Sequence, residues 1–194
     1  MRNATAVQAV TLRLVKEYPL GPTELVDAVL ASWNGLAGSS IGRARIGVDV
    51  FPTPQIVGAF LHELIPLDLR AANGLDWRGD MTASEKDIVY TPESRFSAEI
   101  KTSSHAKQIF GNRSFGQQGN AVGKKEKSGY YLAVNFTAWS RDGSESATPG
   151  IKLIRFGWLD HVDWMAQDAS TGQAATLPPL VENCQLLTLF EVDR

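Results

Sequence analysis

Asp87-Ile88-Val89-Tyr90, Thr91-Pro92-Glu93-Ser94 and Phe96-Ser97-Ala98-Glu99-Ile100-Lys101 form the stretch on which the reading of this chain turns. The first four residues predict a short strand, the next four a turn, and the alternating last six a second strand pairing with the first as a hairpin. In a strand, residues i and i+2 point to the same side, so Glu99 and Lys101 share a face. Asp87 stands eleven intervening residues before Glu99. From the paired strand it can bring its carboxylate beside that of Glu99. Two carboxylates at a strand edge are costly unless a cation sits between them. Mg²⁺ answers that need, since it prefers oxygen ligands, keeps several waters and commonly binds through one or two carboxylates plus substrate phosphate. A lysine beside such a cation can orient or deprotonate a water and stabilise charge on the phosphate. These are the parts for metal-assisted phosphodiester hydrolysis.

On the N-terminal side the pattern is helical. Thr5 to Tyr18 predicts a helix with Val7, Val10, Leu14 and Tyr18 on one face, ended by Pro19, Gly21 and Pro22. Thr23 reads as the N-cap of a second helix, Glu24 to Trp33, with Leu25, Val29 and Trp33 inward. Asn34 to Gly47 reads as a Gly/Ser-rich loop carrying Arg43 and Arg45. A third helix is predicted from Pro54 to Leu64, presenting Ile56, Phe60 and Leu64, with Glu63 on a neighbouring face. On the C-terminal side Thr102 to Asn112 is read as helical and Gly116 to Gly129 as loop. Tyr130 to Phe136 is almost continuously apolar or aromatic, as a strand buried on both faces looks. Ile151 to Gly157 predicts another strand, Leu159 to Gln167 a short helix, Ala169 to Pro179 a surface loop and Cys184 to Val192 a last strand. Helices lead and strands cluster later, so the fold class is α/β with a mixed central sheet.

The chain has 194 residues and a formal net charge of −2. That length suits one domain, 1–194, with a helical part over 1–50 that can serve dimerisation and a core over 54–194. The near-neutral total excludes a histone-like polycation, but not local basicity. Lys101 to Lys127 holds six basic residues (Lys101, Lys107, Arg113, Lys124, Lys125, Lys127) and one acid, Glu126, a net of +5 on an otherwise acidic chain. Gln108, Asn112, Arg113, Ser114, Gln117, Gln118 and Asn120 lie among them. Arg, Asn and Gln make paired hydrogen bonds to base edges, whereas Lys suits phosphates. Arg113, Gln117, Gln118 and Asn120 are therefore candidate base readers, Lys107, Lys124, Lys125 and Lys127 candidate phosphate contacts, and Asn112 a further DNA-binding candidate. Arg43 and Arg45 read as a solvated basic loop.

One cysteine, Cys184, and three scattered histidines give neither a disulfide nor a zinc site. Cys184 reads as a buried, inert thiol. His105 is assigned a phosphate-binding or structural role, His62 a structural one facing away from Glu63, and His161 a surface position. Asp80 and Glu85 are alternative ligands to Asp87 should the strand register differ. The five tryptophans read as core. No apolar run reaches 18 residues and the first residues lack a signal-peptide core, so an intracellular, cytoplasmic protein without a membrane span is expected.

Asp87 … Glu99-Ile100-Lys101, with Glu63 on a preceding helix, resembles the PD-(D/E)xK signature of restriction-type nucleases. Lys86 stands where that signature usually has proline. The stretches Thr102-Ser103-Ser104-His105 and Gln108 to Ser114 look like type II restriction endonucleases, with those of ScaI type nearest. The motif itself covers about fifteen residues, and the looser likeness runs from Glu63 to Phe136. The resemblance implies a restriction-endonuclease-like fold, a mixed central β-sheet flanked by helices with the site at its edge. It implies that Asp87, Glu99 and Ile100 form the metal set, that Lys101 is the catalytic lysine and that Glu63 supports the metals. It further implies Mg²⁺ as cofactor, double-stranded DNA as substrate, a short palindromic site, a homodimer and a restriction-modification setting with host-DNA methylation. Two other readings stand beside it: a nuclease of the same fold in repair or transposition without sequence specificity, and a non-catalytic DNA-binding module. In the plainest reading Glu99 and Lys101 are solvent-facing positions of an amphipathic strand, worth little as a pair.

Overall fold

The structure, a computed structural model, describes residues 4–112, 126–141, 148–166 and 174–192. Helices come first: α1 (Ala4–Glu17), α2 (Pro22–Ala37) and α3 (Pro54–Asn73), with the two-residue strands β1 (Ser40–Ile41) and β2 (Ala44–Arg45) between α2 and α3. Then follow β3 (Trp77–Gly79), β4 (Ile88–Tyr90), β5 (Ala98–Ser103), β6 (Phe110–Gly111), β7 (Gly129–Thr137), β8 (Gly150–Leu159), β9 (Ala175–Thr176), α4 (Pro179–Gln185) and β10 (Leu186–Glu191). Six strands make one mixed sheet in the order β10-β8-β7-β5-β4-β3. β5 and β7 run parallel; the other neighbours are antiparallel.

The alternation of β7 explains the layering. All nine of its residues are buried. Tyr130, Leu132, Val134 and Phe136 face a core built with Leu25, Val29 and Trp33 of α2 and Val57, Leu61, Ile65 and Leu69 of α3. Tyr131 and Ala133 face the opposite side, where they meet Ile109, Leu159, Trp164, Ala175, Leu177 and Leu186. The continuous apolar run of this strand thus fills two cores. Trp33, Trp77 and Trp164 are buried, and Trp33 stacks on Trp139 with ring centroids 4.7 Å apart.

Several predicted elements differ in bounds or register. α3 extends beyond Leu64 to Asn73, with Pro66 inside it. It buries Val57, Leu61 and Ile65, while Ile56 and Phe60 are exposed. Its sequence carries two apolar stripes one residue apart, and helical periodicity alone does not choose between them. Close packing does: a Cβ at Gly58 would lie 2.5 Å from Thr102 Oγ1, so α3 approaches β5 along that face. α1 likewise turns Thr11 inward, its hydroxyl donating to Val7 O at 3.1 Å, and leaves Val10 exposed. α2 starts earlier than predicted, with Gly21 as N-cap, its N–H donating to Glu24 Oε2 at 2.5 Å.

The expected helix over Thr102–Asn112 is not formed. β5 runs on to Ser103, paired with Asn135 of β7, and Phe110–Gly111 is the strand β6. Of the span Leu159 to Gln167, the described residues 159–166 hold one turn of 3₁₀ helix, His161–Asp163, and β8 continues through Leu159. The predicted strand from Cys184 begins instead at Leu186; Cys184 lies on α4, half-buried. Pro178-Pro179 provides a ready helix start there.

Glu85, the alternative to Asp87, is engaged by Arg78 and two main-chain donors. Arg78 Nη2 donates to Glu85 Oε1 at 2.5 Å, and the N–H groups of Met81 and Thr82 donate to Oε2. Arg78, before the backbone donors, holds the Glu85 carboxyl down at about 2, from an ordinary 4.5. A depressed carboxyl contributes stability that is fully present above its ordinary value and is lost as pH falls through about 2. An NMR titration is expected to place Glu85 near 2 in the native protein and back toward the ordinary carboxylate range in Arg78→Ala.

Candidate active site

The site is built where β4 and β5 part. Their ladder has one Cα pair, Ile88 with Ala98, so the β5 residues beyond Ala98 lack a main-chain partner on that side. The Asp87 side chain takes the missing place: its Oδ2 accepts the Ile100 N–H at 2.7 Å. A carboxylate is thereby fixed against β5 by a charge-assisted hydrogen bond. On β5 itself, Glu99 and Lys101 share the face predicted for them, and Lys101 Nζ donates to Glu99 Oε1 at 2.6 Å. These three groups are deep, with Asp87 8%, Glu99 4% and Lys101 9% exposed. The picture of Glu99 and Lys101 as a solvated surface pair is therefore overturned. Beside them, burial pushes the Tyr131 phenol up; the Glu99 carboxylate adds to this, and Asp87 adds less.

α3 supplies the next residues. His62 Nδ1 lies 3.5 Å from Asp87 Oδ2, so His62, read from the sequence as structural, faces Asp87. Glu63 is exposed and lines the same cleft as His62. This cleft, 920 Å³ in volume, has α3 (Gln55, Gly58, His62, Glu63) as one wall and Ser103, Ser104, His105, Phe110 and Asn112 as the other. His105 shapes its wall: its Nδ1 accepts the N–H of Gln108 at 3.0 Å and of Lys107 at 3.3 Å.

Among the DNA-binding candidates, Asn112 lines the cleft, Lys107 is exposed with Nζ 3.4 Å from Glu191 Oε1, and Lys127 Nζ lies 3.4 Å from His161 Nε2. Arg113, Gln117, Gln118, Asn120, Lys124 and Lys125 lie outside the described residues. Arg43 and Arg45 are exposed. Lys86, in place of the proline, donates to Glu126 O at 2.7 Å and lies 5.5 Å from the Tyr131 ring centre.

Four residues near the site were not legible as such: His62, Asn135, Arg155 and Glu182. A signal existed for two of them. Asn135 and Arg155 are polar residues inside otherwise apolar strand runs, where a buried polar group requires partners.

The donor set can be tested against a cation. Asp87, Glu99 and, through its main-chain carbonyl alone, Ile100 would offer only oxygen. Oxygen suits a hard divalent cation; no cluster of three or more His, Cys, Asp or Glu that could hold a metal ion occurs among the described residues. Two buried carboxylates against one lysine also leave net negative charge for a cation to neutralise.

A six-stranded mixed central sheet flanked by helices is the architecture of a restriction-endonuclease-like fold. The family model for the ScaI restriction endonuclease matches residues 3–190. Over 182 residues the chain is 53% identical to the type II restriction enzyme ScaI of Streptomyces caespitosus, an alignment covering 93% of this chain and 78% of that one. The chain belongs to the ScaI restriction endonuclease family. It is a type II restriction endonuclease.

Proposed function

We propose that this enzyme hydrolyses phosphodiester bonds of double-stranded DNA at a short palindromic sequence, with Mg²⁺ held by Asp87, Glu99 and the carbonyl of Ile100. The observation that carries this reading is the convergence of Asp87, Glu99 and Lys101 at the fork between β4 and β5, buried yet beside a cleft shared with α3. When bound, the cation supplies positive charge against that developing on the reacting phosphate. Lys101, as the ammonium, orients the attacking water in line with the scissile bond; the water gives its proton to solvent, the bond from phosphorus to the 3′-oxygen breaks, and that oxygen takes a proton from solvent, leaving a 5′-phosphate. Glu99 holds the Lys101 ammonium in place, and Asp87 is held by the Ile100 N–H. Glu63, from the opposite wall, supports the cation. Lys107, Asn112 and Lys127, with Arg113, Gln117, Gln118, Asn120, Lys124 and Lys125, contact the DNA.

A palindromic site is matched by a two-fold homodimer. The 1–50 part, with α1 and α2, would supply that interface, while 54–194 carries the catalytic core of a single domain. No helix among the described residues is long and apolar enough to cross a membrane; a DNA substrate supports the reading of a cytoplasmic enzyme. Incubation of phage DNA with the protein and Mg²⁺ is expected to give discrete bands, and chelation with EDTA to leave the DNA intact. A smear would instead indicate cutting without sequence specificity. Uncut DNA that shifts on a gel would indicate binding alone.

A further inference from the structure

A second buried cluster lies on the same sheet face, one strand further in, and the chemistry just described does not use it. One terminal nitrogen of Arg155 (β8) meets three oxygens: the carbonyl of Lys107, Glu182 Oε1 of α4 at 3.0 Å and Asn135 Oδ1 of β7 at 3.2 Å. The Asn135 amide nitrogen donates to the carbonyls of His105 and Gln108, both at 3.0 Å. Glu182 Oε1 also accepts the Ile109 N–H at 3.1 Å. All three side chains are buried. They satisfy four main-chain groups of residues 105–109, a segment leaving β5 with no ladder to pair with. Burying a charged pair is costly, and such a pair adds little stability compared with apolar residues of the same size. What this one does is hold a loop by its main chain, leaving the His105 and Lys107 side chains exposed.

We propose that Asn135, Arg155 and Glu182 are positioning residues. They fix residues 105–109 so that Ser104, His105, Phe110 and Asn112 stand as a preset wall of the cleft, against which the DNA is bound. Phe110 is 36% exposed on that wall, its ring centre 6.1 Å from that of His105, while neighbouring Ile109 and Gly111 are buried. A wall fixed before binding spares the complex the entropy of ordering it. The cluster touches neither Asp87 nor Lys101 in any of these contacts, so it acts on substrate binding and not on the chemical step.

The inference rests on the cleft as the DNA site, and its test separates the two. The double variant Arg155→Met/Glu182→Met replaces the charged pair by apolar side chains of similar volume, a change that folded proteins tolerate. Asn135→Ala removes the clamp on His105 and Gln108. Binding is measured on a short duplex carrying the cleaved sequence, with Ca²⁺ in place of Mg²⁺, and cleavage by single turnover at saturating enzyme with Mg²⁺. Dissociation constants at least tenfold above wild type are expected. Single-turnover rates should stay within about threefold, and the Ile109 amide should exchange faster with solvent. Wild-type affinity in the folded double variant would overturn the proposal, and so would its failure to fold or a slowed chemical step at unchanged affinity. If the wild-type protein itself did not bind the duplex, the reading of the cleft would fall instead.

Discussion

Asp87→Ala and Lys101→Ala are expected to abolish cleavage while DNA is still bound and shifted on a gel. Each removes a group buried at the fork, and the loss expected is about 10³-fold or more in rate, the scale of a positioned proton-transfer or electrostatic group. Asp87→Asn separates two roles of that residue. Its carboxamide oxygen can still accept the Ile100 N–H, so the fork keeps its shape while the negative charge is lost. Equal inactivity in Asp87→Asn and Asp87→Ala assigns the effect to charge. Lys101→Ala has a second signature independent of activity. Without the ammonium 2.6 Å from its Oε1, the buried Glu99 carboxylate loses that positive charge. The melting temperature of this variant should therefore rise more on adding Mg²⁺ than that of the wild type, because the ion binds the folded state alone. Retained cleavage in either alanine variant would sink the assignment of the site.

The second large effect lies away from the chemistry. A Cβ at Gly157, near the C-terminal end of β8, would sit 1.8 Å from the Gln185 carbonyl oxygen and 2.9 Å from its carbon. Both are main-chain atoms, at the point where α4 hands over to β10 and Leu186 pairs with Gly157. No rotamer relieves that contact. Gly157→Ala must push β10 and α4 off β8, carrying Glu182 away from Arg155. The expected loss is more than about 4 kcal/mol, among the largest single-residue effects. Urea denaturation checks it, and a variant within about 1 kcal/mol of wild type would show that α4 and β10 can shift cheaply.

The hairpin at Asp87–Lys101 was legible because its signals are local. Alternation puts Glu99 and Lys101 on one face, and a turn brings Asp87 back alongside. The buried strand at Tyr130–Phe136 was legible for the same reason, since a run apolar at every position fits only a strand covered on both sides. The C-terminal elements were less so. Residues 104–109 read as helical, yet their carbonyls are taken by Asn135 and Arg155, which stand about 27 and 48 residues away along the chain. His62 was set aside because the wrong stripe of α3 was turned inward. With Ile56 and Phe60 facing out and Val57 and Leu61 facing in, the helix rotates and the imidazole comes to Asp87.

The sequence by itself determined the pair of strands, their carboxylates and lysine, the family likeness and the uneven charge, because each depends on spacing along one segment. The tertiary structure alone decided how α3 is rotated, that the Glu99–Lys101 pair is buried, and that a charged cluster on β7, β8 and α4 grips the cleft wall. Those depend on which surfaces close on one another, and short periodicities leave that choice to packing at contacts such as Gly58 against Thr102 and Gly157 against Gln185.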